Sequence, residues 1–437
     1  MTSSNETFNP GYCTVEGAKI ITYEGAEEDL TGLIGNISIQ QSLSLNAYVG
    51  SVEILDGIGL LVNLPIRGEE ELRLKLKSHD LQTEVNLVLQ IVSISNVQIQ
   101  KSSGDMYAYT LDFMSKSSFE ALKGNVITAF RDQSASYCVN KIFAQYYKKN
   151  LGSNRTFEIE PSDGDMRVVI PDYNPPQAIS FLAVKAFNNK SKSSTYRFFE
   201  TLGGYYWVTD EWLLEKGQKG TIKKLKYSPI VDRNPLQGAT IIETLEEFQN
   251  ASHVNTIEDL TSGAYKNTVM EIDLITHKKR IFKYDYLKKK GSYKGMQGKI
   301  GGISGSKHSE KFIVDTFDED NSPQYVVYRD WSPRGMQIKP GQVPRADQHM
   351  TEIIQNRTTY NYHLMNNMCS GAIRGRLDIQ PGQIIDLSVM EPDAQMEGKQ
   401  NKRLSGYYLV FATSHNINGT SLTTNLKMVK FDWETEK

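Results

Sequence analysis

The segment Gly50-Ser-Val-Glu-Ile-Leu-Asp-Gly-Ile-Gly-Leu-Leu-Val-Asn-Leu-Pro-Ile-Arg-Gly-Glu-Glu-Glu-Leu-Arg-Leu-Lys-Leu-Lys77 decides the fold class. It reads as a strand, a Gly-rich turn, a buried apolar run, a Pro-Ile-Arg-Gly corner and a second strand. That strand alternates Leu72, Leu74 and Leu76 inward with Arg73, Lys75 and Lys77 outward. Alternation with period two is what a sheet with one buried face requires, so this stretch is half of an antiparallel barrel. Gly68, at the corner, is expected to hold a backbone conformation that a β-carbon would strain.

The same period continues on both sides. Val85, Leu87, Leu89 and Ile91 alternate with polar neighbours, as do Tyr107, Tyr109, Leu111 and Phe113, with Ser102-Ser-Gly-Asp105 as a turn before the latter. From Ser117 the spacing lengthens to that of helices. Phe119 and Leu122 open a short one, and Ala135, Val139, Ile142, Phe143 and Tyr146 share one stripe of the next. Pro171-Asp-Tyr-Asn-Pro-Pro176 breaks the chain, and a helix with proline in its first turn follows, burying Ile179, Leu182, Ala183 and Ala186. Tyr196–Phe199 and Tyr205–Val208 form a hairpin across Gly203-Gly204.

Further on, the pattern predicts a short helix at Thr244–Gln249, strands at Val269–Ile275 and Ile281–Tyr286, and a helix over Glu352–Met368. Residues 288–307, rich in Gly, Ser and Lys, read as a mobile loop. The final part is β again. Ile373, Gly375, Leu377 and Ile379 alternate up to a Gln380-Pro-Gly-Gln383 turn, with Ile385, Leu387 and Val389 as the returning strand. Tyr407–Thr413 pairs with Ser421–Phe431 over an Asn418-Gly419 corner. The fold class is therefore mainly β with α+β insertions. The expected division is two tube-type antiparallel β-barrel domains, 1–116 and 217–260 with 346–437, plus two smaller mixed domains, 117–216 and 261–345.

Composition bounds the function. The chain has 437 residues, 39% hydrophobic and 23% charged, as a globular protein with sizeable cores does. Lys plus Arg number 49 against 51 Asp plus Glu, so charge gives no reason to expect nucleic acid as the main partner. The first residues lack a signal-peptide pattern, and no apolar run approaches the roughly 20 residues that span a bilayer. Cys13, Cys138 and Cys369 form no CxxC pair, which fits a reducing compartment.

Chemistry-bearing motifs are mostly incomplete. Gly291–Ile300 comes nearest to a phosphate loop, but Tyr293 stands where a Walker A loop needs glycine and Ile300 where it needs Ser or Thr. Asp315 with Asp318-Glu-Asp320 suggests calcium, yet Pro323 occupies the position of the EF-hand glycine. The histidines, His79, His253, His277, His308, His349, His363 and His415, make no HExxH pair, and His415 reads as packed or hydrogen-bonded. Cys138 falls on an apolar helix stripe, where a small buried hydrophobe is expected. Glu69-Glu-Glu71 and Glu246-Glu247 read as solvated faces, since a glycosidase needs carboxyls held across a cleft. The run Lys278, Lys279, Arg280, Lys283, Lys288, Lys289, Lys290, Lys294 and Lys299 interleaves with Phe282, Tyr284, Tyr286 and Tyr293. That pattern suits single-stranded nucleic acid, but a basic patch for an acidic protein neighbour is the better reading. No catalytic residue, cofactor site or metal site is assigned.

Five fragments resemble, in order, the baseplate hub proteins of T-even-type contractile phage tails. They are Gly50–Lys77, Tyr107–Ser115, Pro171–Ala186 with Phe198–Tyr206, Gly263–Asp273 with Tyr284–Tyr286, and Gly371–Gly382 with Tyr408–His415. The resemblance implies a structural, non-enzymatic protein of the virion tail baseplate, assembled in the host cytoplasm. It implies a homotrimer whose two barrel domains per chain make a pseudo-sixfold ring between tail tube and central spike. Tube or tube-initiator proteins, the spike, the tape-measure protein and the surrounding wedge proteins would be its partners, with neither sequence-specific nucleic acid nor membrane insertion. A tail-associated cell-wall hydrolase is the alternative function.

Overall fold

The computed structural model describes residues 10–64, 66–100, 106–148, 155–228, 241–250, 257, 261–263, 265–273, 277, 279–289, 324–329, 350–366, 368–391, 400–401 and 404–430. The Ser102–Asp105 turn and most of 288–307 lie outside them.

Seven strands open the chain: β1 (Cys13–Ile21), β2 (Glu27–Asp29), β3 (Ile34–Ser42), β4 (Val49–Asp56), β5 (Glu71–Ser78), β6 (Thr83–Gln100) and β7 (Met106–Ser115). Leu72, Leu74 and Leu76 are buried as their alternation requires, and face Leu89, Leu87 and Val85 of β6 across an antiparallel ladder. Between β4 and β5 the apolar run is a one-turn helix, α1 (Leu60–Asn63), and not an extended segment. The cause is Asp56, whose carboxylate accepts the N–H groups of Ile58, Leu60 and Leu61 at 2.9–3.1 Å and so caps that turn. The corner that follows turns at Gly68, with φ +94°. Glu70 holds it: its carboxylate accepts N–H from Arg67, Gly68 and Glu69 at 2.8, 2.9 and 3.0 Å, and the residue is 4% exposed. The expectation of a solvated Glu69–Glu71 run therefore fails at Glu70, which the turn's orphan donors draw inward.

The mixed region contains α2 (Lys116–Leu122), β8 (Val126–Ser134), α3 (Ala135–Tyr146), β9 (Thr156–Ile159), β10 (Asp165–Tyr173), α4 (Pro175–Lys185), β11 (Arg197–Thr201), β12 (Gly204–Val208) and α5 (Asp210–Lys219). α3 buries Ala135, Cys138, Val139, Ile142 and Phe143, the expected stripe with Cys138 among them, except that Tyr146 is half-buried and Tyr147 is the buried ring. α4 starts with a capping box between Asn174 and Gln177 and has proline in its first turn. β11 and β12 form the hairpin, and β9 joins β12 in parallel. α2 departs from expectation. Leu122 is exposed, and the buried face is Ser117, Ser118 and Ala121.

The last part contains β13 (Lys223–Tyr227), β14 (Glu247–Asn250), β15 (Lys266–Asp273), β16 (Lys279–Asp285), β17 (Gln324–Arg329), a helix Met350–Asn366, β18 (Met368–Arg374), β19 (Ile384–Val389), β20 (Gly406–Asn418) and β21 (Ser421–Lys430). Three expectations are corrected here. Residues 247–250 pair with β18 as a strand where a helix was expected. β18 stops at Arg374 because Gly375 adopts φ +70°, and Leu377 and Ile379 are buried within the following turns. β19 does not return along β18. It pairs with β20 and, in parallel, with β13, more than 150 residues earlier in sequence.

β3 pairs with β20 over Asn36–Ser42, which joins the strands of both ends of the chain into one sheet of 13 described strands. Its main path runs β14-β18-β21-β20-β3-β4-β7-β6-β5-β1-β2. A bridge between Tyr12 and Ser421 then brings the start of β1 against β21, so the N-terminal strands close around their core through the tip of the β20–β21 hairpin. Leu377, Ile417 and Leu422 accordingly pack in one cluster with Ile39, Val52, Leu74, Leu89 and Phe113.

Candidate functional site

Because strands alternate their side chains, one continuous sheet presents one continuous outer face. Reading the register across it gives Arg374, Thr423, Asn416, Ser38, Ser51, Asp112 and Ser93 in one row. A second row is Gln249, Ser370, Lys427, Ala412 and Ser42. Hydroxyls and amides dominate, and two of the carboxylates are already satisfied. Asp112 accepts from Ser93 and Ser95 at 2.6 and 3.3 Å, and Glu53 accepts from Asn36 at 2.6 Å. The opposite face is Ile39, His415, Thr424 and Ile373, all buried. Two hollows lie on the polar face, about 670 Å³ beside Leu45, Phe411 and Met368 and about 480 Å³ beside Ser38, Ser51 and Asn416. This stretch of the outer face, over β18, β21, β20, β3, β4 and β7, is weakly charged by comparison with β5 in the same sheet, where Lys75 and Lys77 pair with Glu16 and Glu84, and it is the candidate functional surface.

Ionic seams fix the wall to the bodies behind it. Glu200 of β11, fully buried, receives Arg155 at 2.5 Å and Ser118 at 2.8 Å and is also bonded by Ser115. Ser117 and Ser118 bond the Tyr205 hydroxyl at 2.7 and 2.8 Å, which explains the polar buried face of α2. A second seam joins Arg197 to Asp210 at 2.8 Å. Glu211 beside it accepts from Ser193 and from Thr195 (3.0 Å), and burial pushes its carboxyl up to about 7. A third holds Asp378 between Arg376 (2.8 Å) and Lys223 (2.6 Å), its carboxyl kept low by these two hydrogen-bonded cations despite burial.

The sequence's candidate groups are dispersed. Cys13, Cys138 and Cys369 are buried, and desolvation pushes the first two thiols up to about 12 and the third to about 11, the reverse of an activated nucleophile. His415 is buried in β20 between Gln41 (3.2 Å) and Thr424 (3.0 Å), and burial lowers it to about 4, so it stays neutral as a packed histidine. His79 meets Thr14 at 2.9 Å. Glu246 and Glu247 are exposed. Lys279, Arg280 and Lys283 lie on β16, exposed with Ile281 and Phe282. Gly291–Ile300, Asp315–Pro323, His253, His308 and His349 lie outside the described residues. Among the described residues no group of His, Cys, Asp and Glu is placed to hold a metal, and no helix is long and apolar enough to cross a membrane. Sequence reading missed the polar wall and the seams. Ser, Asn and Gln at alternate strand positions carried the first signal; for the seams, Arg155–Glu200 and Lys223–Asp378 are far apart in sequence, while Arg376–Asp378 and Arg197–Asp210 are nearer pairs that the reading passed over.

The sequence matches no family model and no curated protein. Solved structures do share the fold. A tail protein from Neisseria meningitidis MC58 superposes with a TM-score of 0.52 at 10% identity, covering 95% of this chain and 96% of that one. The 43 kDa tail protein of prophage MuSo2 from Shewanella oneidensis gives 0.54 at 8% identity, covering 95% and 98%. The chain thus has the mainly antiparallel β fold of these tail proteins along nearly its whole length.

Proposed function

We propose that this chain is a structural tail protein, the hub of a contractile phage baseplate, forming a trimeric pseudo-sixfold ring between tail tube and spike. The single observation that carries the reading is the continuous sheet with its broad polar wall. Rows of hydroxyl and amide groups with few charges suit a surface past which a charged polymer must move without being held, since an array of cations would bind phosphate strongly. Two barrel-like units per chain, times three, match a sixfold tube, and closed rotational symmetry is the usual arrangement of identical subunits. The fold shared with two tail proteins supports this reading over a cell-wall hydrolase.

In this reading the two β regions form the ring, the mixed regions sit outside it, and the wall lines the channel. The basic segment from Lys288 to Lys307 belongs on the outside, toward wedge proteins, and the spike, tube and tape-measure proteins meet the ring's ends and lumen. Light scattering of the purified chain at high micromolar concentration tests the proposal, with a trimer and threefold particle images as the expected result. A strictly monomeric species without threefold particles would sink it. Clearing of peptidoglycan by the pure chain would favour the hydrolase instead.

A further inference from the structure

We propose that the pocket between the end of β3, α4, β11 and the Met350–Asn366 helix is a binding site for a small oxyanion, phosphate or carboxylate. The pocket has a volume of about 350 Å³, and Ser44, Asn46, Ser180, Arg197, Arg357 and Asn361 are among the residues lining it. Arg357 is the central group. One of its amino nitrogens, Nη2, donates to the carbonyls of Val184 (3.1 Å) and Ser194 (2.9 Å), which caps the end of α4. A guanidinium has five N–H donors in a fixed fork. Those on Nε and Nη1 have no partner among the described residues, and no carboxylate pairs with Arg357 there.

The nearby acids are already engaged. Asp210 takes Arg197 at 2.8 and 3.0 Å, and Glu211 takes Ser193 and Thr195. Arg357 therefore brings a cation with no counter-ion among the described residues into this surface pocket, beside a second arginine. Burial, then the charge of Arg197, holds its guanidinium below the ordinary range. With Nη2 committed to the carbonyls, a donor on Nη1 or Nε gives an oxyanion one charge-assisted hydrogen bond, and the guanidinium charge adds its attraction. Hydroxyl and amide groups from Ser44, Asn46, Ser180 and Asn361 can donate to the remaining oxygens. The space accommodates a phosphate ion or the carboxylate of an acidic side chain, and the uncompensated positive charge excludes a metal cation.

Thermal unfolding of the full chain tests this, with inorganic phosphate and acetate titrated separately against sodium chloride at matched ionic strength. A saturable rise in Tm is expected with at least one anion, and the arm that responds more strongly identifies the source. Arg357→Gln should weaken the apparent Kd at least tenfold. Because that change also uncaps α4, Ser180→Asp serves as the second variant: it supplies a carboxylate inside the pocket, keeps Arg357, and should abolish the response. No saturable response in the parent chain overturns the assignment. An unaltered response in both variants shows an adventitious ion only, and overturns it equally.

Discussion

Strands β5–β7 and the strands β13, β18 and β19 belong to one sheet and are built in opposite ways. In the first, each strand pairs with its sequence neighbour, and Leu72, Leu74 and Leu76 meet Leu89, Leu87 and Val85 over one short turn. In the second, Leu225 pairs with Leu387 in parallel, and the strand that follows β18 in sequence bypasses it for β20. Short loops close at little entropic cost, so local alternation alone specifies the first region. The second is held from outside itself, by pairing partners and by the Lys223–Asp378 seam. Side-chain chemistry at the seams therefore matters more to the whole than any one strand does.

The largest effect is expected at the first seam, which ties the end of β7 and the start of α2 to Glu200 of β11. Arg155→Met leaves Glu200 fully buried with a charge and no cation, which should cost about 3–5 kcal/mol. Urea unfolding monitored by tryptophan fluorescence measures it, and a cost below about 1 kcal/mol, that of an exposed ion pair, would show the seam to be incidental. Pairing the change with Glu200→Met should recover much of the loss, because both charges then leave together.

Next in size is the second seam, read through pH. The carboxyl of Glu211 titrates near 7 in the folded chain against an ordinary 4.5, so the folded state holds its proton more tightly than the unfolded one. The contribution is fully present below about pH 4.5 and is lost as pH rises through 7. It amounts to on the order of 3 kcal/mol by the free energy of such a shift. Glu211→Gln should remove this loss between pH 5 and 8. If chemical-denaturation profiles of the two proteins stay parallel over that range, Glu211 is not the titrating group.

The smallest effect belongs to the local region. Gly68→Val forces a β-branched residue to φ +94° and should cost roughly 1–3 kcal/mol. The destabilisation would stay within β4–β6. An unchanged Tm would mean that the carboxylate of Glu70 alone sets the corner.

What could be read beforehand follows the same division. The leucine alternation of β5, the α3 stripe, the proline start of α4 and the Asn418-Gly419 corner are local, and the structure has each of them. Thr244–Gln249 was unreadable as a strand because the extended stretch is only the four residues Glu247–Asn250, and their partner, β18, lies more than a hundred residues away. α2 misled because Phe119 and Leu122 suggest an apolar face, whereas the buried carboxylate of Glu200 recruits the serines. Nothing near Ser117 in sequence announces that carboxylate. Arg357 likewise looks like any helix arginine until α4 and the Ser194 carbonyl are set beside it.

The closure of the N-terminal strands by the β20–β21 tip has a consequence during synthesis. A ribosome adding 5–20 residues per second needs about 20–75 s to cover the roughly 370 residues between the end of β3 and the segment that pairs with it. Throughout that interval β3 offers a bare row of backbone donors and acceptors, the very template on which strands of nascent neighbours can add. The expected consequence is that crowding of chains on one message lowers the yield of correctly closed protein, and that slower initiation raises it more than slower elongation does.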